Sequence, residues 1–259
     1  MVVIQSGEQE FYLDGYLKSN LDALKHSVIK KDFDGFIVVT GREGFGKSSL
    51  AGQVGKYLDP TFSLKNCVFT SEQFKQACIN ADKFQAVVFD ETMGYLSSRG
   101  AMSKFNRDLI KIMSEMRSKN LFVILCIPNF FELDRYPAIH RTTGLLHIYR
   151  RGRFGSYDYP TKKKLYLTGK KFYSYSTSPN FIGVFVKHFV YDKLEYETKK
   201  QGAINSWLEN NGRDVLHQKQ RDILIKECIK QDWINKISLS ELIDLSIRQI
   251  SRILGKDTT

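Results

Sequence analysis

Cysteine is scarce, and its four positions share no spacing. Cys67, Cys78, Cys126 and Cys228 lie too far apart for the paired ligands of a structural metal site. They read instead as small buried hydrophobes in a reducing compartment. Long apolar runs are missing too: the longest, LFVILCI (121–127), falls far short of the ~20 residues that span a bilayer. No membrane span and a cytosolic location are therefore expected. The amino-terminal stretch MVVIQSGEQEFYLDG lacks a basic-then-apolar leader pattern. No internal repeat and no low-complexity tract interrupts the chain. Acid is under-represented against base, with 28 Asp and Glu facing 39 Lys and Arg, a formal net charge of +11. That balance points to an anionic partner, nucleic acid before membrane. The 42% of hydrophobic residues among 259 suffices for one large domain, or one domain with a small appendage.

One stretch carries chemistry directly. FIVVT (36–40) is a β-branched, apolar run expected to be a buried strand, and KSSLAGQVGKYL (47–58) is expected to be a helix. Between them lie Gly41, Arg42, Glu43, Gly44, Phe45 and Gly46. A glycine-rich turn from strand to helix aims main-chain N–H groups and the positive helix end at one point, which makes an anion site. Gly41 to Ser48 matches G-x-x-x-x-G-K-[ST], the Walker A phosphate loop. Residues 41–49, Ser49 included, are thus candidate ATP ligands. Lys47 is expected to reach the outer phosphates, and Ser48 to ligate Mg²⁺.

A phosphate loop needs a partner carboxylate for the metal, at the end of a neighbouring strand. FQAVVFDET (84–92) supplies Asp90 as the candidate metal residue and Glu91 as the candidate orienter or base for an attacking water. CVFT (67–70), LFVILCI (121–127) and GLLHIYR (144–150) complete five expected strands. SEQFKQACINAD (71–82), with Ser71 as its cap, and a stretch over 102–119 with Leu109, Ile112, Met113 and Met116 in one stripe are expected helices. Strands and helices in this alternation imply an α/β fold with a mainly parallel sheet covered on both faces, and with the two motifs the chain resembles P-loop ATPases of the RecA-like type.

The segment EMRSKNLFVILCIPNFFELDRYPAIHRTTGLLHIYRR (115–151) resembles the matching part of the FtsK/HerA family of DNA-pumping ATPases. Within that group it is most similar to zonula occludens toxin-like ATPases of phages and mobile elements. The resemblance implies that LFVILCI inserts between the strands carrying the two phosphate-site motifs. It also implies that Arg117 completes a neighbour's site or senses its own γ-phosphate, and that Asn129, next to Pro128, lies beside the polar sensor position. It further implies a homo-oligomeric ring, a hexamer being one size, with DNA and a phage or mobile-element protein as partners in a host cytosol.

Residues 150–200 are dense in Lys, Arg, Tyr and Phe, and short alternating runs such as KLYLT and KFYSYS are expected to form hairpins. Arg150, Arg151, Arg153, Lys162, Lys163 and Lys164 are candidate DNA contacts. Tyr157, Tyr159, Tyr173 and Tyr175 either stack on bases or pack the sheet. NNGRD (210–214) is expected to be a linker. LSELIDL (239–245) and RQISRIL (248–254), with QKQRDILIKECIKQ (218–231), resemble the helix-turn-helix of transposase-like and phage regulators. Arg248, Gln249, Ser251 and Arg252 would then face DNA. The expected layout is an ATPase domain over 1–205, with its core at about 30–151 and a basic β-rich extension over 152–200, then a helix-turn-helix domain over 213–259. Three functions remain open at this point: a DNA motor or packaging ATPase, a site-selecting ATPase switch for replication, partition or transposition, and a nucleotide kinase.

Overall fold

A computed structural model of the chain describes residues 2–6, 9–90, 99–230, 235–243 and 245–254. Two units divide it, Met1–Ile204 and Asn205–Thr259.

The first unit opens with an antiparallel hairpin, β1 (Val2–Ser6) and β2 (Gln9–Leu13), which the sequence patterns did not announce. Helix α1 (Gly15–Lys31) follows, started by Asp14, whose carboxylate accepts from the Tyr16 and Leu17 N–H groups. Then come β3 (Gly35–Gly41), α2 (Lys47–Leu58), β4 (Cys67–Val68), α3 (Ser71–Asn80), β5 (Ala86–Asp90), α4 (Arg99–Ser118), β6 (Phe122–Ile127), β7 (Gly144–Arg150), β8 (Arg153–Tyr157), α5 (Tyr159–Gly169) and β9 (Phe181–Val184). All five expected strands are present. They pair in the order β4-β5-β6-β3-β7, every pair parallel, and β8 and β9 extend the sheet antiparallel beyond β7.

The central parallel strands are largely apolar because helices cover both faces. On one face, Leu50, Ala51 and Val54 of α2 pack with Ile37, Val39, Val88 and Ile124. On the other, Leu109, Ile112, Met113 and Met116 of α4 pack with Val38, Val87, Phe89 and Val123. The expected stripe on α4 is thus its buried face.

Local details differ from the sequence reading in three places. Helix α3 is capped by Thr70, whose hydroxyl accepts from the Gln73 N–H, and not by Ser71. KLYLT belongs to α5 and no hairpin forms there, because Asp158 caps the first turn and Pro160 fits its start. Lys162, Leu165, Tyr166 and Gly169 then face inward at helical spacing. KFYSYS lies in no strand. Finally, NNGRD sits within helix α6 (Lys193–Lys230), which continues through it; one glycine in a helix costs only about 1 kcal/mol.

In the second unit, the end of α6, α7 (Lys236–Ile243) and α8 (Ile247–Leu254) share a small core of Ile225, Leu239, Ile250 and Ile253. Among the described residues no helix is long and apolar enough to cross a membrane.

Candidate nucleotide site

Strand β3 runs into the glycine loop, and α2 leaves it at Lys47. Gly41 has φ +142° and lies so close to β7 that a Cβ there would stand 2.5 Å from the Ile148 carbonyl oxygen. Gly46 has φ +100°, which a side chain would strain, and caps α2. The first-turn N–H groups of a helix have no intrahelical acceptor, so this loop presents donors at its mouth. Lys47 Nζ donates to the Gly41 and Arg42 carbonyls at 2.8 and 3.3 Å. Its ammonium is thereby folded over the loop, where an anion would meet it.

The register sets the carboxylate beside this loop. Asp90 pairs with Cys126 of β6, and Cys126 pairs with Val39 of β3. Asp90 is therefore two strand spacings, about 10 Å, from the loop-bearing strand, at the same carboxyl edge. LFVILCI occupies the strand between them, as the resemblance implied. Asp90 is 2% exposed. Its Oδ2 accepts a hydrogen bond from the Tyr196 phenol and faces Lys200 Nζ at 3.4 Å. The Ser48 hydroxyl hydrogen-bonds the same phenol. Ser48 and Asp90 thus both reach the Tyr196 oxygen. A hydroxyl and a carboxylate are few protein donors, and they fit Mg²⁺, which keeps waters and takes substrate phosphates as its other ligands. Burial and the adjacent Asp90 charge push the Tyr196 phenol well above its ordinary value, so it is a donor and not a phenolate.

Tyr196 and Lys200 were not anticipated from sequence. Segment 185–191 runs along α2 and delivers them. Gln53 Nε2 donates to the Val186 and His188 carbonyls at 2.7 and 3.0 Å. The Ser49 hydroxyl donates to the His188 carbonyl at 2.7 Å and accepts from its N–H at 2.9 Å. This corrects the side-chain assignment of Ser49: its hydroxyl is turned to segment 185–191, and only its main-chain N–H is left as a candidate phosphate donor. The strap has no motif of its own, so only the hydrophobic and turn pattern of 181–196 could have hinted at it.

On the other side of the loop, a cleft of about 800 Å³ is lined by Gly41, Arg42, Glu43, Phe45, Asn129 and Tyr175, among others. Asn129 follows β6 directly, and Gly41 N–H donates to the Pro128 carbonyl at 3.2 Å. The Asn129 side-chain oxygen accepts from Phe131 N–H at 3.1 Å and lies 3.4 Å from the Tyr175 hydroxyl. Tyr175 stacks on His147 with ring centres 3.5 Å apart, so it is occupied within the fold. Burial lowers the His147 imidazole to about 4, which keeps it neutral beside Thr40, 3.0 Å from its Nδ1.

Glu91 lies outside the described residues. Arg117 is exposed at the end of α4, just before β6 begins. Strand β6, six residues and about 20 Å long, separates it from the loop edge. This corrects any role for Arg117 at its own chain's γ-phosphate: an arginine side chain cannot cover a strand length.

The basic cluster divides as well. Arg150, Arg153, Lys163 and Lys164 are exposed. Arg151, in the β7–β8 turn, leans over the phosphate loop: a Cβ built on Gly44 would stand 3.7 Å from its Nη2. Lys162 is the clearest correction. It is fully buried, donating to the Ala138 and Ile139 carbonyls at 2.7 and 2.8 Å, and it cannot touch DNA. Burial lowers its amine from 10.5 to about 7. The unfolded chain therefore binds one more proton between pH 7 and 10.5, and stability rises with pH across that window. Lys162→Met is expected to flatten this part of the pH–stability curve in denaturant unfolding.

In the second unit, Ser246 and Gln249 form a capping box. Gln249 Oε1 accepts from Ser246 N–H and Oγ at 2.8 Å each, and Ser246 Oγ accepts from Gln249 N–H at 3.3 Å. The Gln249 side-chain oxygen is thus turned to the helix start, while the residue itself is exposed. Arg248 and Ser251 are exposed, and the Arg252 side chain lies outside the described residues.

Cys67, Cys78 and Cys126 are buried, and burial pushes the Cys67 thiol up to about 12. These thiols are structural, as expected. No family model matches the chain, and no curated protein matches it either.

Proposed function

We propose that the chain is an Mg²⁺-dependent P-loop ATPase of the RecA-like, additional-strand type, and that it works on DNA. The observation that carries this reading is the carboxyl edge of the sheet. There a positive-φ glycine loop with Lys47 folded over it and a buried Asp90 joined to Ser48 through the Tyr196 hydroxyl flank one intervening strand.

In this reading the loop N–H groups and Lys47 bind the β- and γ-phosphates, with Arg151 as a further cation above Gly44. Ser48 and Asp90 hold Mg²⁺, which supplies charge neutralisation on the phosphate oxygens. Glu91 orients the attacking water and takes its proton, and Asn129 offers its amide to the outer phosphate. Arg117 acts, if at all, in a neighbouring subunit, which ties hydrolysis to the homo-oligomeric ring implied by the FtsK/HerA resemblance. Movement or packaging of viral or mobile-element DNA is the task that resemblance suggests.

Exposed Arg150, Arg153, Lys163 and Lys164 on the first unit, and Arg248 with Ser251 on α8, are the DNA-facing groups. A site-selecting ATPase switch is the second reading, favoured by the capped three-helix unit. ATP turnover with and without single- and double-stranded DNA tests both. A motor is stimulated by DNA of any sequence, a switch turns over slowly and prefers one duplex, and absence of ATP hydrolysis refutes the proposal. Arg248→Glu is expected to weaken DNA binding about tenfold at low salt and to reduce the salt dependence, since it removes a phosphate contact.

A further inference from the structure

Helix α6 brings two groups onto the metal residues, and they differ in freedom. Tyr196 is 4% exposed and wedged among Phe69, Phe189 and Tyr191, with ring centres 5.5, 5.3 and 5.5 Å away. Lys199 pins the same turn to β4 by donating to the Leu64 and Cys67 carbonyls at 2.7 and 2.8 Å. The helix backbone and the phenol are therefore held in place. Lys200 is one helical turn from Tyr196, on the same face. Its side chain is 28% exposed, and its ammonium lies 3.4 Å from Asp90 Oδ2 and 3.2 Å from the Tyr196 oxygen. A lysine stem can swing to solvent while its helix stays put.

We propose that the Lys200 ammonium is a resident counter-cation for Asp90 that Mg²⁺ arriving with nucleotide displaces, and that Tyr196 is the positioning residue that keeps Asp90 and Ser48 aimed at one point. The inference deepens the phosphate-loop reading and rests on it. A buried carboxylate without a partner is costly. Lys200 removes that cost when no metal is present, and the same attraction opposes metal entry. The chain thereby sets a Mg²⁺ threshold: free nucleotide leaves Lys200 on Asp90, and Mg²⁺–nucleotide moves it to solvent. Tyr196 stays in either state, donating to Asp90 and accepting from Ser48.

The test is equilibrium binding of a fluorescent ATP analogue to the full chain, titrated with Mg²⁺, each midpoint being referred to the same variant's affinity in EDTA. Lys200→Met is expected to lower the Mg²⁺ midpoint about fivefold or more, because the competing charge is gone. It is also expected to lower the melting temperature in EDTA, with recovery on adding Mg²⁺ and ATP. Lys200→Gln, which keeps a polar head without the charge, must shift the midpoint the same way, so the test survives poor folding of the methionine variant. Lys200→Arg should restore a wild-type midpoint. Tyr196→Phe should raise the midpoint about threefold, since Asp90 and Ser48 lose the hydroxyl that joins them. An unchanged or higher midpoint in both neutral Lys200 variants overturns the proposal while leaving the phosphate loop intact. Absence of nucleotide binding by the wild-type chain overturns the loop reading itself.

Discussion

Replacing Lys47 by alanine is expected to weaken ATP binding at least about 100-fold, roughly 2.7 kcal/mol. The ammonium is the one loop side chain already held over the anion-facing mouth, 2.8 Å from the Gly41 carbonyl. In the structure it satisfies main-chain oxygens, and a bound triphosphate would replace them with more negative acceptors, so the contact is expected to strengthen on binding. Alanine removes both the charge and the tether. Lys47→Arg is expected to rescue little, because a planar fork does not fit where a compact point charge sits. Calorimetric or fluorescence titration with ATP reads the effect, and the melting temperature without nucleotide reports whether the loop survives. ATP affinity equal to wild type in a folded Lys47→Ala protein would remove the phosphate-loop assignment.

Glu91→Gln is expected to leave ATP bound and to slow turnover about 10²–10⁴-fold, the usual contribution of a positioned general base. The carboxylate one residue beyond Asp90 is the nearest acid in sequence to the proposed metal-holding position, and glutamine keeps its size and polarity while removing its basicity. Single-turnover hydrolysis measures the chemical step, and nucleotide affinity measures binding. The expected signature is loss in the first with little change in the second. Hydrolysis at the wild-type rate in this variant would take the water-activating role away from Glu91. Mixing Glu91→Gln with Arg117→Ala protein extends the test to the proposed ring. Since Arg117 stands a strand length from its own loop, any contribution to catalysis must cross a subunit boundary, and mixed assemblies should regain partial activity.

Strands and the glycine loop were legible because their signals are local. FIVVT, AVVF and LFVILCI are apolar runs of strand length bounded by turns, and GREGFGKS has a spacing that few other structures require. The α4 stripe of Leu109, Ile112, Met113 and Met116 follows the helical period and lies buried as expected. Residues 159–169 misled because KLYLT alternates like a strand, while the decisive signals were the Asp158 cap and Pro160 at the helix start. Lys162 misled because a lysine in a basic cluster looks solvated. Nothing nearby in sequence reveals the Ala138 and Ile139 carbonyls that receive it.

Determined by the sequence alone are the loop, the acid that ends a neighbouring strand, the alternation that makes a parallel sheet, and the excess of positive charge. Each depends on spacing within a dozen residues, where chain geometry leaves few alternatives. Only the tertiary structure decided which side chains surround that acid. Tyr196 and Lys200 lie more than a hundred positions from Asp90 and reach it because 185–191 binds along α2. Arg117 is carried to the far edge by the length of β6, Ser49 is turned to the strap, and Arg151 is brought over Gly44. Contacts of that separation are set by how elements pack and in which direction strands run, and no local pattern encodes them.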